Sequence, residues 1–257
     1  MVDTHAHLGL CERDTGEVVK AAAAAGVRRI LTVGLDEDSN REAIAHADLH
    51  DGVFACVGRH PNSAAGFDDA AAAAIEELGA DPRVAAIGET GLDYYRDRAP
   101  RSEQRAAFAA QIAIARRLAK PLVIHVRNGN GDEGDAVAEV FETLAADADG
   151  VRVILHCFSA PVERIAEAAK HGWLCSFAGN VTYPSAEPLR AAARVVLDEL
   201  LLVETDSPFL APQPVRGKAN QPANVVDTAE ALAEVRGVSY GELDALVEAN
   251  AARVFGW

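Results

Sequence analysis

The sequence predicts an α/β protein built as a single (β/α)8 barrel, a TIM barrel, over residues 1–257. Short apolar runs alternate with longer segments of helical periodicity along the chain, which is typical of parallel strands joined by helical crossovers. Eight strand segments can be distinguished, and a length of 257 residues suits one barrel of this kind. An open, doubly wound sheet is the alternative, but eight repeats close a barrel more readily.

The strands are predicted from runs of β-branched and other apolar residues that end at glycine or at a polar side chain. Asp-Pro at 81–82 and Lys-Pro at 120–121 mark turns before the fourth and fifth runs. In chain order, the runs cover residues 2–7, 29–34, 53–58, 84–89, 121–126, 151–158, 173–179 and 200–206.

The helices are predicted from apolar residues that recur with helical spacing between the strands. Ser239 and Glu242 have the spacing of a capping box at the start of the last segment, which is an extra C-terminal helix. The segments are 15–25, 39–50, 68–79, 102–119, 133–146, 161–171, 186–198, 222–236 and 239–254.

Composition and charge limit the possible functions. The formal net charge of −15 argues against broad adhesion to DNA or to an anionic membrane, so any phosphate binding must be local. No apolar stretch reaches the roughly 18 residues that a membrane-spanning helix needs. The four cysteines form no C-x-x-C pair, and the chain opens into a polar motif without a signal peptide. We therefore expect a soluble monomer in the reducing cytoplasm.

Side chains that commonly bind metals stand at the ends of several predicted strands. His5 and His7 are two residues apart on the first strand, so they point to the same face and can form a metal pincer. The carboxyl ends of barrel strands converge on one mouth, where these side chains would form one site. Four further runs end in a carboxylate or an imidazole, at Glu89, His125, His156 and Asp206.

Single histidines are weak evidence for a metal site, because a lone one is more often a hydrogen-bonded core or rim residue. Here four of the eight histidines fall at strand ends beside two strand-end carboxylates, and this joint placement favours a metal site. His46 and His50 also have metal-ligand spacing, on an outer helix. Since spacing alone is weak evidence, we interpret them as part of a solvated helix face.

Two further polar residues are expected near the mouth. Glu204 shares the strand parity of Asp206 and should lie one layer deeper, where it could accept a hydrogen bond from a ligand histidine. A buried carboxylate paired with a core residue is the alternative. His60 follows the third strand in GRHP and is a candidate for substrate contact or proton transfer, or else a loop-capping histidine.

These motifs, in this order and across the whole chain, resemble the TatD family of metal-dependent deoxyribonucleases, relatives of the amidohydrolases. The segments that carry the resemblance are DTHAHL (3–8), GRHP (58–61), GETGLDYY (88–95), PLVIHVR (121–127), HCFS (156–159), VETDSPFLAP (203–212), RGKAN (216–220) and NAARVF (250–255).

The resemblance implies a two-metal site in which every ligand position is filled. His5, His7 and Asp206 would hold one ion, His125 and His156 the second, and Glu89 would bridge both. The departures from the family pattern are modest: Ala6 stands where many relatives carry Cys, and Asn62 where His is common. Histidine and carboxylate ligands accept Zn, Mn, Mg, Co or Ni, so the identity of the ions stays open.

The resemblance also implies a hydrolase that cleaves phosphodiester bonds, a deoxyribonuclease acting exonucleolytically on DNA ends or single strands. Asp206 would orient or deprotonate the attacking water, with Glu89 and His60 as further catalytic residues. The candidates for phosphate contacts are Arg127, Arg216 and Lys218, although each could equally be an ordinary surface cation.

Two alternatives keep the fold but change the function. The same site could hydrolyse another ester, for example as a deacylase of an ester-linked nucleotide or RNA, because fold and metals do not fix the substrate. A barrel that has lost catalysis and serves as a binding module is the second alternative. The complete ligand set argues against it.

Overall fold

The structure of the protein is a computed structural model that describes residues 1–96, 98–129 and 134–257. Among these residues, eight strands run parallel in a sheet whose order follows the chain. This arrangement confirms the predicted (β/α)8 barrel. The strands are β1 (Val2–Ala6), β2 (Arg29–Val33), β3 (Val53–Val57), β4 (Val84–Asp93), β5 (Leu122–Arg127), β6 (Val153–Leu155), β7 (Leu174–Phe177) and β8 (Leu201–Val203).

Helices alternate with the strands, and two helices follow β8, so the predicted extra C-terminal helix is confirmed. The predicted start of the fifth helix, at residue 133, lies outside the described residues. In the described ranges, no helix is both long and apolar enough to cross a lipid bilayer. The helices are α1 (Thr15–Ala24), α2 (Glu37–Leu49), α3 (Asp69–Gly79), α4 (Arg101–Leu118), α5 (Ala136–Asp147), α6 (Arg164–His171), α7 (Glu187–Val195), α8 (Val225–Arg236) and α9 (Tyr240–Phe255).

Polar side chains fix the points at which several helices begin. Asp14, Asp36, Asp68 and Asp135 each accept a hydrogen bond from a backbone N–H in the first turn of α1, α2, α3 and α5. A carboxylate there also interacts favourably with the positive end of the helix dipole. Ser239 does the same for α9 in the predicted capping box. These caps hold the helix starts, and with them the loops at the mouth.

The barrel closes between β1 and the segment that follows β8. The backbone N–H of Asp206 donates to the carbonyl of His5 at 2.9 Å, and that of His7 donates to the carbonyl of Ser207 at 2.8 Å. Ala6 and Ser207 form a parallel bridge at the same place. The seam of the barrel therefore runs through the residues that the sequence predicts as metal ligands.

The largest differences from the predicted strand lengths are in β4, β6 and β8. β4 continues past Glu89 to Asp93, because residues 90–93 pair with β5. β6 and β8 stop earlier than predicted, since Cys157 (φ 44°) and Asp206 (φ 53°) leave the extended conformation and turn the chain. These turns occur at the mouth, so they set the direction of the side chains that face it.

Candidate active site

The carboxyl ends of the strands bring the six predicted ligand side chains to one end of the barrel. Four of them are buried, and the side chains of His125 and Asp206 are 17% and 14% exposed. Burial of so many ionisable groups is costly unless they are paired or hold a metal. The six are His5, His7, Glu89, His125, His156 and Asp206.

Four of these side chains form a compact group beside β1. The Nε2 atoms of His5 and His7 are 3.3 Å apart. Oε2 of Glu89 lies 3.4 Å from Nε2 of His5 and 3.8 Å from Nε2 of His7. Oδ1 of Asp206 lies 3.5 Å from Nε2 of His7 and 3.9 Å from Nε2 of His5. Each of the two nitrogens therefore lies within 4 Å of one oxygen of Glu89 and one oxygen of Asp206.

This spacing fits a single bound divalent ion. Ligand bonds of about 2.0–2.1 Å in tetrahedral geometry place the ligand atoms about 3.4 Å apart, close to the observed separations. His7 donates its Nδ1–H to the carbonyl of Val33 at 2.9 Å, so the lone pair of its Nε2 faces the group. The donor set of His5, His7 and Asp206 is therefore suited to one ion, and Glu89 lies beside it.

Glu89 lies between this group and the other histidines. Its Oε1 atom lies 2.7 Å from Nδ1 of His125 and 3.6 Å from Nε2 of His156, whereas Oε2 faces His5 and His7. Burial acts to raise the pKa of this carboxyl, but the surrounding histidines outweigh it and hold the pKa well below its ordinary value. The carboxylate is therefore charged and offers one oxygen to each side.

His156 belongs to a second group, with His5 and Glu89. The rings of His5 and His156 stack with centroids 3.6 Å apart. Nδ1 of His156 lies 2.7 Å from Oε1 of Glu204, a contact too bent for a well-aligned hydrogen bond. Burial acts to lower the pKa of His156, but Glu204 and Glu89 raise it to about 10. Glu204 thus contacts a predicted ligand histidine, as its strand parity predicts.

His125 belongs to a third group, with His60 and Asp93. Its Nε2 atom lies 3.1 Å from Oδ2 of Asp93, while its Nδ1 atom faces Glu89. Burial acts to lower the pKa of His125, but these two carboxylates raise it to about 9. The ligand atoms of His125 and His156 do not fall into one group, and their ring centroids are 6.4 Å apart.

Asp93 is the site residue that sequence reasoning missed. Oδ2 accepts a hydrogen bond from Nδ2 of Asn62 at 2.9 Å, and Oδ1 accepts from the backbone N–H groups of Tyr95 and Arg96. The available signal was parity, because Asp93 is four residues after Glu89 and faces the same side of a continuous strand. The predicted end of β4 at Glu89 hid that relation.

His60 reaches the mouth, with a side chain that is 13% exposed. Its Nδ1 atom accepts the backbone N–H of Asn62 at 3.0 Å, so the neutral ring carries its proton on Nε2. Nε2 lies 3.7 Å from Oε1 of Glu89, and burial lowers the pKa of His60 to about 3. His60 therefore caps its loop and also points an N–H donor into the site.

The predicted phosphate contacts are exposed at the same end of the barrel. Arg127 ends β5, and its guanidinium lies 3.8 Å from the ring centroid of Tyr95. Arg216 follows β8 and lies 4.2 Å from the ring centroid of Tyr183. Lys218 is exposed in the same loop as Arg216. The three cations therefore lie at the carboxyl end of the barrel, Arg127 at the end of β5 and the other two in the loop after β8.

The expectation of a solvated face for His46 is wrong. Its side chain is only 14% exposed, both ring nitrogens are buried without a hydrogen bond, and Nε2 lies 3.6 Å from Glu42. The ring turns inward because Ala43 and Ala47 on the same helix pack against the barrel and draw that face toward it. Among the described residues, neither His46 nor His50 joins a ligand group.

A parallel barrel with histidine and carboxylate groups at the carboxyl ends of its strands is the arrangement of a metal-dependent hydrolase. The family model described as TatD related DNase matches residues 2–256. The chain belongs to this family, which confirms the resemblance seen in the sequence motifs.

The amino-acid sequences of several related proteins align with nearly the whole chain. The uncharacterized metal-dependent hydrolase TatD of Mycobacterium tuberculosis is 41% identical over 100% of this chain and 98% of its own length. YabD of Bacillus subtilis, an uncharacterized metal-dependent hydrolase, is 37% identical over 99% and 98%. The 3'-5' ssDNA/RNA exonuclease TatD of Klebsiella pneumoniae is 32% identical over 95% and 92%.

Solved structures agree on the fold. The TatD homolog YJJV of Escherichia coli superimposes with a TM-score of 0.90 at 22% identity, covering 100% of this chain and 98% of that chain. A TatD family hydrolase of Entamoeba histolytica gives a TM-score of 0.82 at 18% identity, over 99% and 97%. The protein is therefore a metal-dependent hydrolase of the TatD family.

Proposed function

We propose that the protein is a deoxyribonuclease that uses two divalent metal ions to cleave phosphodiester bonds at DNA ends or in single strands. The observation that carries the proposal is the position of Glu89, whose two oxygens face two different sets of histidines. A carboxylate so placed suits two ions held side by side. The family description and the exonuclease named in Klebsiella pneumoniae support the choice of DNA as substrate.

The residues would hold the ions in two unequal places. His5, His7 and Asp206 have the spacing for one ion with Glu89 beside them, and His125 and His156 stand on the other side of Glu89. Zn, Mn, Co, Ni or Mg suits such donors. Ions bound here would supply a water of lowered pKa and would neutralise charge on the phosphoryl group.

Asp206 is placed to orient the attacking water and accept its proton. Its carboxylate is among the more exposed of the predicted ligands, and its backbone is fixed by the hydrogen bond from its N–H to the carbonyl of His5. Burial acts to raise the pKa of Asp206, but His7 and His156 outweigh it and lower the pKa. The group is therefore charged at neutral pH, as a proton acceptor must be.

His60 is placed to donate a hydrogen bond to the substrate. Because Asn62 engages Nδ1, the N–H of Nε2 is directed into the site. A neutral donor can bind a phosphoryl oxygen or the leaving oxygen as negative charge develops there. Arg127, Arg216 and Lys218 would bind neighbouring phosphates, and their small number suits a chain of net charge −15.

The proposed compartment is the cytoplasm. All four cysteines are free and none is paired in a disulfide, which suits a reducing environment. Two of them, Cys56 and Cys175, are buried, and burial raises the pKa of both thiols. Such thiols are inert and fill the core.

The test is a cleavage assay with purified protein that is supplied in turn with Mg, Mn, Zn, Co and Ni. The substrates are labelled single-stranded DNA, duplex DNA, RNA, a generic phosphodiester and an ester-linked nucleotide. Glu89→Gln, prepared in parallel, is the matched control for contaminating nucleases. We expect the wild-type protein, but not Glu89→Gln, to shorten single-stranded DNA in the presence of metal. Cleavage of the ester-linked nucleotide and of no other substrate would favour the deacylase alternative.

A further inference from the structure

One exposed aromatic ring stands directly beside the site. Phe209 is 52% exposed, and its ring centroid lies 6.1 Å from that of His7. Leu10 and Tyr95 are also exposed, in the segments that follow β1 and β4 at this end of the barrel. Leu49, in contrast, is 73% exposed at the end of α2, on the opposite face of the barrel. Phe209 is thus an apolar surface next to the chemistry.

The exposure of Phe209 does not arise from a loose loop. Its N–H donates to the carbonyl of Asp206 at 2.8 Å, and its carbonyl accepts from Nδ2 of Asn220 at 2.7 Å. Nδ2 of Asn220 also donates to the carbonyl of Thr205 at 2.9 Å, and Asn220 is only 3% exposed. The buried side-chain amide of Asn220 therefore holds the backbone of this loop in place. The ring of Phe209 remains exposed to solvent, although burial of such a ring would be favourable.

Two arginines at the same end of the barrel as Phe209 suit a nucleobase with its phosphates. The guanidinium group of Arg127 lies over the ring of Tyr95, and that of Arg216 lies over the ring of Tyr183. These cation–π contacts hold both guanidinium groups in position at the mouth. Guanidinium edges can bind phosphate oxygens, while an aromatic face binds any base by stacking. A chain of net charge −15 gains from stacking, because this part of the affinity does not depend on the charge of the protein.

We propose that the ring of Phe209 stacks on the nucleobase next to the scissile phosphate and thereby selects unpaired ends. The inference rests on the proposed nuclease function and adds to it the feature of the substrate that is recognised. A paired base is held against its partner, so it must first be unpaired before it can reach the ring. An unpaired terminal base reaches the ring without that cost, so frayed or single-stranded ends are favoured.

The first experiment compares metal-loaded wild-type protein with Phe209→Ala, Phe209→Trp and Leu49→Ala. Each acts on two single-stranded oligonucleotides that differ only in an abasic residue at the cleaved end. Phe209→Ala should raise KM for the intact oligonucleotide about 5- to 150-fold, the range of one lost stacking contact, and change kcat little. It should leave KM for the abasic oligonucleotide unchanged. Phe209→Trp should restore the wild-type KM, and Leu49→Ala should match wild type throughout.

The second experiment measures stacking without turnover. An oligonucleotide that ends in 2-aminopurine, whose fluorescence is quenched by stacking, is bound to Glu89→Gln protein with and without Phe209→Ala. Loss of quenching on removal of the ring supports the inference. Equal quenching, or equal KM increases on the intact and abasic oligonucleotides, overturns it.

Further outcomes distinguish failure of the stacking role from failure of the proposed nuclease function. A Phe209→Ala variant that changes the sedimentation coefficient of the protein would make the ring a contact between protein chains, which overturns the inference. A wild-type protein that neither cleaves nor binds any oligonucleotide removes the proposed function itself. Cleavage that is independent of Phe209 leaves the proposed function standing and rejects only the stacking role.

Discussion

The two sides of Glu89 differ in how ready they are for a metal ion. On the β1 side, the nitrogens of His5 and His7 face each other at 3.3 Å with carboxylate oxygens at 3.4–3.9 Å. On the far side, both nitrogens of His125 already contact carboxylates, at 2.7 Å and 3.1 Å. On the β1 side, the distances are those between the ligand atoms of one metal ion. At His125, the distances are those of hydrogen bonds. An ion can enter the β1 side directly, but it must displace a proton and a carboxylate at His125.

The largest effect is expected from Glu89→Gln, which removes the one group that the two sides share. Turnover should fall about 10³-fold or more, because a neutral amide cannot serve two ions, while the fold is retained since the amide has the same size. The measurement is kcat on single-stranded DNA, with circular dichroism as the control for folding. Normal turnover in this variant would contradict the two-metal proposal.

Asp206→Asn should lower kcat about 10²- to 10⁴-fold, the range for loss of a general base, with a smaller change in KM. The amide can still coordinate weakly but cannot accept a proton from water. Steady-state kinetics at saturating metal separates the two parameters. If only KM changed, Asp206 would be a binding residue and not a catalytic one.

His7→Gln and His125→Gln form a matched pair that tests the inequality between the two sides. His7→Gln should weaken the tightest ion about 10²-fold or more, because it removes a ligand from the group with ligand spacing. His125→Gln should leave the tightest ion bound at wild-type affinity. It should lower only the affinity of the second, more weakly bound ion. Zinc titration followed by metal analysis measures both variants. Equal losses in the two would show that the sides are equivalent.

The smallest effect concerns the stability of metal-free protein at different pH values. In the folded chain the pKa values of His125 and His156 are raised to about 9 and about 10, from an ordinary value of 6.5. The folded state therefore binds more protons than the unfolded state. Its extra stability is complete below about pH 6.5 and is lost as the pH rises through 9 to 10.

Bound ions replace these protons, so metal-loaded protein should lose less stability over the same pH range. The difference in the free energy of unfolding between loaded and chelator-treated protein should widen as the pH rises from 6.5 to 9.5. Urea denaturation at three pH values measures it. A difference that narrows with pH would contradict the assigned protonation of this side.

The sequence predicts the fold because barrel strands and helices have different periodicities. It also predicts the β1 pair, since His5 and His7 lie on a regular strand where parity alone decides direction. Asp93 was missed because the pairing of β4 with β5 shifts register after Ile87 and then continues. A shift of this kind depends on the neighbouring strand, so the sequence of β4 alone does not show that the strand continues past Glu89.

The partners of each histidine were equally hidden from the sequence. His125 was expected beside His156, but its contacts are with Glu89 and Asp93. The choice depends on ring rotation and on the tautomer, which neighbouring side chains fix after folding. The tautomer of His60 likewise depends on a contact within a turn, because the backbone N–H of Asn62 donates to its Nδ1 atom.

The seam of the barrel also bears on how the protein is made. The backbone N–H of Thr205 donates to Asp3 across a separation of 202 residues, and His5 and Asp206 meet beside this bond. A nascent chain exposes β1 early on the ribosome, but β1 must wait for nearly the whole barrel before it gains this neighbour. Half-synthesised chains therefore hold the two histidines without Asp206. We expect ion capture and the onset of hydrolysis to coincide with closure of the seam, so that incomplete chains are inert.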